Sequence, residues 1–158
     1  MSVQIRTLSP DIGSLTTRVV ITINRLMTQL AGRESHMNAC QIQRVAEKAH
    51  LFLACDSDDR DDVMAMATLN VVHTLTGMQG HVDDVVVDEQ CRQRGIGSLL
   101  MNGVIFYARR AGIVRLRLTS RSNREEANRL YPRLGFERHE TNVYYLDLTI
   151  PATDEDVP

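Results

Sequence analysis

The stretch from His81 to Gly112 constrains the fold more than any other part of the chain. "HVDDVVV" (His81 to Val87) reads as a central strand. After "DEQCRQRG", the residues Ile96, Leu99, Leu100, Val104, Tyr107, Ala108 and Ala111 fall on one face of a helix that ends at Gly112. A strand that passes through a short glycine-bearing loop into an apolar helix commits the chain to layered packing of helix on sheet.

The flanking segments supply the other layers. Val3 and Ile5 alternate as a short strand, and Ser9-Pro10-Asp11 predicts a helix start whose apolar face runs through Leu15, Val19, Ile23, Leu26 and Leu30 to Gly32. A second helix is expected from about Asn38 to Ala49. "LFLAC" (Leu51 to Cys55) and "VMAMATLNVV" (Val63 to Val72) read as strands joined by the charged hairpin "DSDDRDD". "VRLRL" (Val114 to Leu118) alternates as a further strand. Ser122 to Glu125 has the pattern of a capping box, opening a helix with Ala127, Leu130, Tyr131 and Leu134 on one face. Phe136 to His139 and Val143 to Ile150 predict a closing hairpin. The expected fold is α+β, with one mixed central sheet and about four flanking helices in the order β-α-α-β-β-β-α-β-α-β-β. Residues 1–150 form a single domain in this reading, and 151–158 form a disordered acidic tail.

Composition narrows the function classes. The net charge of -2 argues against bulk electrostatic binding of nucleic acid. No apolar run has the length of a membrane span, and the N-terminus has no signal-peptide pattern. Cys40, Cys55 and Cys91 are odd in number and widely spaced, which suits free thiols and a cytoplasmic location.

The loop between strand and helix is the strongest candidate site. A helix N-terminus offers unpaired N–H groups and a partial positive charge to phosphate, and glycines let backbone come close. No lysine follows as a P-loop requires, and Leu100 stands where a dinucleotide fingerprint needs a third small residue. What matches is [QR]-x-x-G-x-[GA], through Arg92, Gly95 and Gly97, a pattern that any strand–loop–helix corner can supply.

Together, "VVVDEQCRQRGIGSLL" and "LTSRSNREEANRLYPRLGF" resemble the GCN5-related N-acetyltransferase (GNAT) family, with motif-level similarity from His81 to Phe136. The resemblance implies an acetyl-CoA-dependent acyltransferase that needs no metal. Arg92, Gln93, Arg94, Gly95, Ile96, Gly97 and Ser98 would hold the cofactor's pyrophosphate. Val85, Val86 and Val87 would face the pantetheine arm and polarise the thioester carbonyl. Tyr131 would protonate the departing thiolate. His81 and Asp83 fill positions where family members often carry a base, and strand alternation groups them with Val85 and Val87, leaving Asp84 on the other face. Where the family often has Asn, seven residues before the tyrosine, this chain has Arg124 beside Asn123; either residue is a candidate cofactor contact. Pro132 disfavours helical geometry at Tyr131.

Other features weigh less. "DSDDRDDVMAMA" has Asp61 in place of the EF-hand glycine and Ala67 in place of its last glutamate. The histidines show no metal-binding spacing. Cys91 is unnecessary as a nucleophile if an amine attacks the thioester directly. Tyr144 and Tyr145 either line an acceptor cleft or belong to the last strand. The expected acceptor is an amine, on a small molecule or a protein; a homodimer is left open. Two other readings share the fold: a non-catalytic acyl-CoA-binding regulatory module, and a toxin acetylating aminoacyl-tRNA, for which Arg115, Arg117, Arg121 and Arg124 would supply a basic patch.

Overall fold

The computed structural model describes residues 2–11 and 15–148. Five strands form one sheet in chain order: β1 (Val3–Thr7), β2 (His50–Asp56), β3 (Val63–Thr74), β4 (Gly77–Val87) and β5 (Arg115–Leu118). The first four pair antiparallel and β5 pairs parallel to β4, so the sheet is mixed as expected. A parallel neighbour needs a crossover, which α3 (Ile96–Arg110) supplies. The remaining helices are α1 (Thr17–Ala31), α2 (Ala39–Lys48) and α4 (Glu125–Arg133). Among the described residues no helix is long and apolar enough to cross a membrane.

Apolar side chains bury on both faces of the sheet. On one face, Phe52, Ala65, Ala67, Leu69, Val82 and Val85 pack against Ile96, Leu100, Met101 and Val104 of α3 and Tyr131 of α4. On the other, Leu51, Leu53, Cys55, Val63, Met66 and Val86 meet Val19, Ile23 and Leu26 of α1 and Ile42 of α2. Each large side chain buried in this way stabilises the fold by roughly 1.5–3 kcal/mol.

Three local expectations give way to tertiary structure. The Ser9 hydroxyl bonds to Asp11 in its own turn, and α1 is capped instead by Thr16, whose Oγ1 accepts from Val19 N at 3.3 Å. No capping box forms at Ser122: Arg124 is the N-cap of α4, without a side-chain cap bond, and its guanidinium is used elsewhere. Phe136 to Leu148 form no strand, and Val143, Tyr144, Tyr145, Leu146 and Leu148 are exposed. The rest of the expected closing hairpin and the acidic tail lie outside the described residues. By contrast, α2 has a capping box, with Asn38 Oδ1 accepting from Gln41 N and Gln41 Oε1 from Asn38 N, each at 2.9 Å.

Gly80 of β4 leaves room for Leu69 of β3 and Leu116 of β5. A Cβ there would lie 2.5 Å from Leu116 Cδ2 and 2.9 Å from Leu69 Cδ1. Gly80→Ala is therefore expected to destabilise the fold by about 1–3 kcal/mol, as overpacking does. A urea titration monitored by circular dichroism reads it directly, and an unchanged midpoint would show that these leucines can move aside.

Candidate active site

Strand β5 pairs over its whole length, Arg115–Leu118, with β4 and ends there. Its partners are Gln79–Val82, so among the described residues no strand lies beside that edge of the segment from Asp83 to Val87. Backbone donors and acceptors on such an edge are available to a ligand. On the other edge, the pairing with β3 slips between Met66 and Thr68, with Met66 opposite Val86 and Thr68 opposite Asp83. Asp84 takes φ 54°, a left-handed conformation uncommon for aspartate. These are the marks of a β-bulge, in which Asp84 and Val85 together oppose Ala67.

The bulge corrects the expected grouping of side chains. Directly paired residues share a face, so His81 and Asp83 point with Asn70 and Thr68 toward α1 and α2. Asp84 points to the same side, lining a small cavity of about 110 Å³ with Ile23, Met27, Met37 and Ile42. Val85 and, less deeply, Val87 pack on the α3 side, separate from His81 and Asp83. Val86 packs on the α1 side.

Both aspartates are held. Asn70 Nδ2 donates to Asp83 Oδ2 and Thr68 Oγ1 to Asp84 Oδ2, each at 2.9 Å. His81 Nε2 lies 3.9 Å from Asp83 Oδ1, is buried, and has no hydrogen-bond partner among the described residues. Asp84, Thr68 and Asn70 escaped the strand-alternation argument. The signal available for them was two adjacent acids inside an otherwise apolar strand, which regular alternation cannot bury on one face.

The glycine loop leaves the same strand. Asp88 N donates to Met64 O at 2.8 Å, and Asp88 Oδ1 accepts from Gln90 N at 3.0 Å, starting one 3₁₀ turn at Glu89–Cys91. The Asp88 side chain is almost fully buried, and its Oδ2 lies 2.7 Å from Arg25 Nη2 of α1. Gln29, one turn further along α1, accepts from Glu89 N at 3.1 Å. Gln93 and Gly95 then adopt left-handed φ values of 62° and 75°.

Gly95 is the N-cap of α3 and makes no side-chain cap bond. Leu99 N closes the first helical turn onto Gly95 O at 3.0 Å. The N–H groups of Ile96, Gly97 and Ser98 precede it and have no intrahelical acceptor. The two glycines serve different ends. Gly95 supplies a backbone conformation, whereas a Cβ at Gly97 would sit 3.4 Å from both Val87 Cγ2 and Leu130 Cδ2, where α3, β4 and α4 converge. Arg92, Gln93 and Arg94 are exposed around this helix end, and Arg92 Nε donates to Val87 O at 3.3 Å.

Helix α4 packs on the same sheet face as α3, through Ala127, Leu130 and Tyr131. Arg124 Nη2 donates to Val85 O at 2.7 Å, so this arginine reaches the free edge of β4; the neighbouring Asn123 is exposed. Tyr131 is buried, 6% exposed, with its ring edge-on to Phe136. Pro132 does not end the helix before Tyr131: α4 continues to Arg133, and Leu134 N bonds to Tyr131 O at 3.0 Å. The proline's missing N–H falls in the last turn, where its cost is small beside the burial of Tyr131. Burial pushes the Tyr131 phenol above its ordinary pKa, and the charge of Arg124 offsets only part of that. Burial, with the Asp88 charge, likewise raises the Cys91 thiol, which keeps it a poor nucleophile. Among the described residues, no group of three His, Cys, Asp or Glu side chains could hold a metal ion.

The site thus combines unpaired amides at a helix end, an open strand edge, a buried neutral phenol and, across the sheet, a histidine with two carboxylates. Known proteins share the fold. The chain matches an acetyltransferase of Trypanosoma brucei with a TM-score of 0.73 at 22% identity, covering 93% of this chain and 100% of that one. It matches glucosamine-6-phosphate N-acetyltransferase from Arabidopsis thaliana with a TM-score of 0.71 at 16% identity, covering 93% and 100%. An aminoglycoside acetyltransferase from an uncultured soil metagenomic sample gives 0.74 at 16% identity, covering 91% and 95%. A comparison with curated protein sequences finds no significant match. Residues 22–136 match the profile of the acetyltransferase (GNAT) family, and the chain belongs to that family.

Proposed function

We propose that this protein is an N-acetyltransferase that moves the acetyl group of acetyl-CoA to a primary amine by direct attack in a ternary complex. The observation that carries the reading is the meeting of the α3 amides, the unpaired edge of β4 and the buried Tyr131. The donor set fits the cofactor's chemistry. Ile96, Gly97 and Ser98 offer N–H groups and a helix dipole to a diphosphate, with Arg92, Gln93 and Arg94 around them. Val85, Val86 and Val87 offer backbone groups along the open edge to an amide-bearing arm.

When bound, acetyl-CoA supplies an activated acetyl thioester. The Val85 backbone is the proposed polarising group at the thioester oxygen, with Arg124 fixing the strand through the Val85 carbonyl. An amine is mostly protonated at neutral pH, and Asp83 or His81 removes the proton, directly or through water. Tyr131, kept neutral by burial, donates its proton to the departing sulfur. Two of the similar structures are named for amine-bearing acceptors, glucosamine 6-phosphate and aminoglycosides. Here the carboxylates of Asp83 and Asp84 suit a cationic acceptor.

Release of CoA thiol across a panel of primary amines, in chelator, tests the activity. Turnover with at least one amine is expected; binding of acetyl-CoA without turnover on any amine would leave a regulatory module. Gly97→Val should weaken acetyl-CoA binding by about tenfold, since two more methyl groups cannot fit against Val87 and Leu130 without shifting the helix end. Calorimetry on the folded variant reads this, and unchanged affinity would remove the helix end from the cofactor site.

A further inference from the structure

A second site lies along the C-terminal half of α3. Ile5, Arg6 and Thr7 of β1, Phe52 of β2, Arg60 of the β2–β3 hairpin, and Gly103, Phe106, Tyr107, Arg110 and Ala111 line a groove of about 780 Å³. Along α3 the groove begins at Gly103, six residues or about 9 Å from Gly97, and reaches Arg110, about 20 Å from it at 1.5 Å per residue. At Gly103 helix and strand are in contact: a Cβ there would lie 3.0 Å from Ile5 Cγ2, so its absence lets α3 approach β1.

The groove is cationic and its floor is fixed. Arg6, Arg60 and Arg110 line it with no carboxylate among the lining residues, and none of the three is in an ion pair with a described residue. The hairpin acids Asp59 and Asp62 face Arg18 instead. Arg6 Nη2 donates to Arg60 O at 3.1 Å, while Arg6 Nε is buried with no partner. The Arg6 side chain lies beside Cys55, on the sheet face of Leu53 and α1, so the accessible cations of the groove are Arg60 and Arg110. The Tyr107 hydroxyl lies 3.0 Å from His50 Nε2 and its ring is edge-on to Phe52, so the ring cannot swing away. Phe106 is exposed, with Arg110 Cζ 5.8 Å from its ring centroid.

We propose that this groove binds a small aromatic phosphate, a dianion carried on a planar ring, at a site separate from the cofactor loop. Guanidinium groups match phosphate oxygens in pairs, and aromatic side chains receive a flat ring at little entropic cost. The volume is that of a small-molecule site.

Phenyl phosphate is the probe, titrated by calorimetry with acetyl-CoA absent and saturating. One saturable site per chain is expected, with inorganic phosphate at least about tenfold weaker and affinity unchanged by acetyl-CoA. The amide of Gly103 should shift in NMR spectra. Arg60 and Arg110 are exposed, so the double variant Arg60→Gln, Arg110→Gln should fold; it should lose at least about tenfold in phenyl phosphate affinity and keep its acetyl-CoA affinity. Absence of saturable binding, displacement by acetyl-CoA, or full affinity in the double variant would each overturn the proposal. Tighter binding of a single-stranded oligonucleotide than of phenyl phosphate would also overturn it, making the groove a nucleic-acid surface.

Discussion

Tyr131→Phe is expected to lower kcat by roughly 10- to 10⁴-fold, the range for losing a positioned proton donor. The argument rests on position and protonation together. The ring is buried between α4 and the sheet and stays so in the variant, since only the hydroxyl is removed. Acetyl-CoA affinity should therefore be unchanged. The sign of the pH effect follows from burial: the charged phenolate is disfavoured, so the neutral acid persists above the ordinary tyrosine range. The alkaline fall in kcat of the parent should begin above that range and be missing in the variant. Equal kcat in parent and variant, with chemistry shown to limit the rate, would sink the assignment.

The second large effect concerns the carboxylates. Asp83→Asn is expected to lower kcat/KM by about 10²- to 10⁴-fold if Asp83 is the base, most strongly at low pH, where more of the amine is protonated. The bulge makes Asp84→Asn the informative companion. Regular alternation would have put Asp84 on the far face and made its loss harmless. Instead its carboxylate accepts from Thr68 beside the small cavity under α1 and α2. Its replacement should raise the KM for a cationic acceptor and leave kcat nearly unchanged. If Asp84→Asn instead causes the larger fall in kcat at saturating acceptor, Asp84 is the base. His81→Gln in the same series separates the imidazole from both.

What was legible in the sequence was what local pattern alone decides. The β4–loop–α3 unit shows because its period changes across a few residues, and Tyr131 lies on the apolar face of a short amphipathic helix. The bulge at Asp84 did not show, because it exists only in the pairing with β3. Ser9 and Ser122 have the right chemistry for helix caps, but Ser9 bonds to Asp11, and at α4 the chain enters the helix through Arg124. The alternation from Val143 to Ile150 predicts a strand. Alternation is only half of a strand; a neighbouring ladder must complete it, and these residues have none among the described residues. The sequence makes Arg124 a departure from the family pattern, a candidate cofactor contact and part of a basic patch, but not a partner of Val85. Its bond to Val85 O spans 39 positions of sequence, beyond any local rule.

Arg25 and Gln29, one turn apart on α1, grip Asp88 and Glu89 where β4 becomes the loop. The same helix presents Ile23 and Met27 to the cavity that Asp84 lines. One rigid rod therefore touches the surface proposed for the acceptor and the root of the segment proposed for the diphosphate. A molecule that shifts this rod on arrival shifts the root with it, and the two occupancies are then joined by a single coupling free energy. Thermodynamics makes such coupling reciprocal: whatever factor the acceptor imposes on acetyl-CoA affinity, acetyl-CoA imposes on the acceptor. Specificity for one partner would then be set partly by side chains that touch neither.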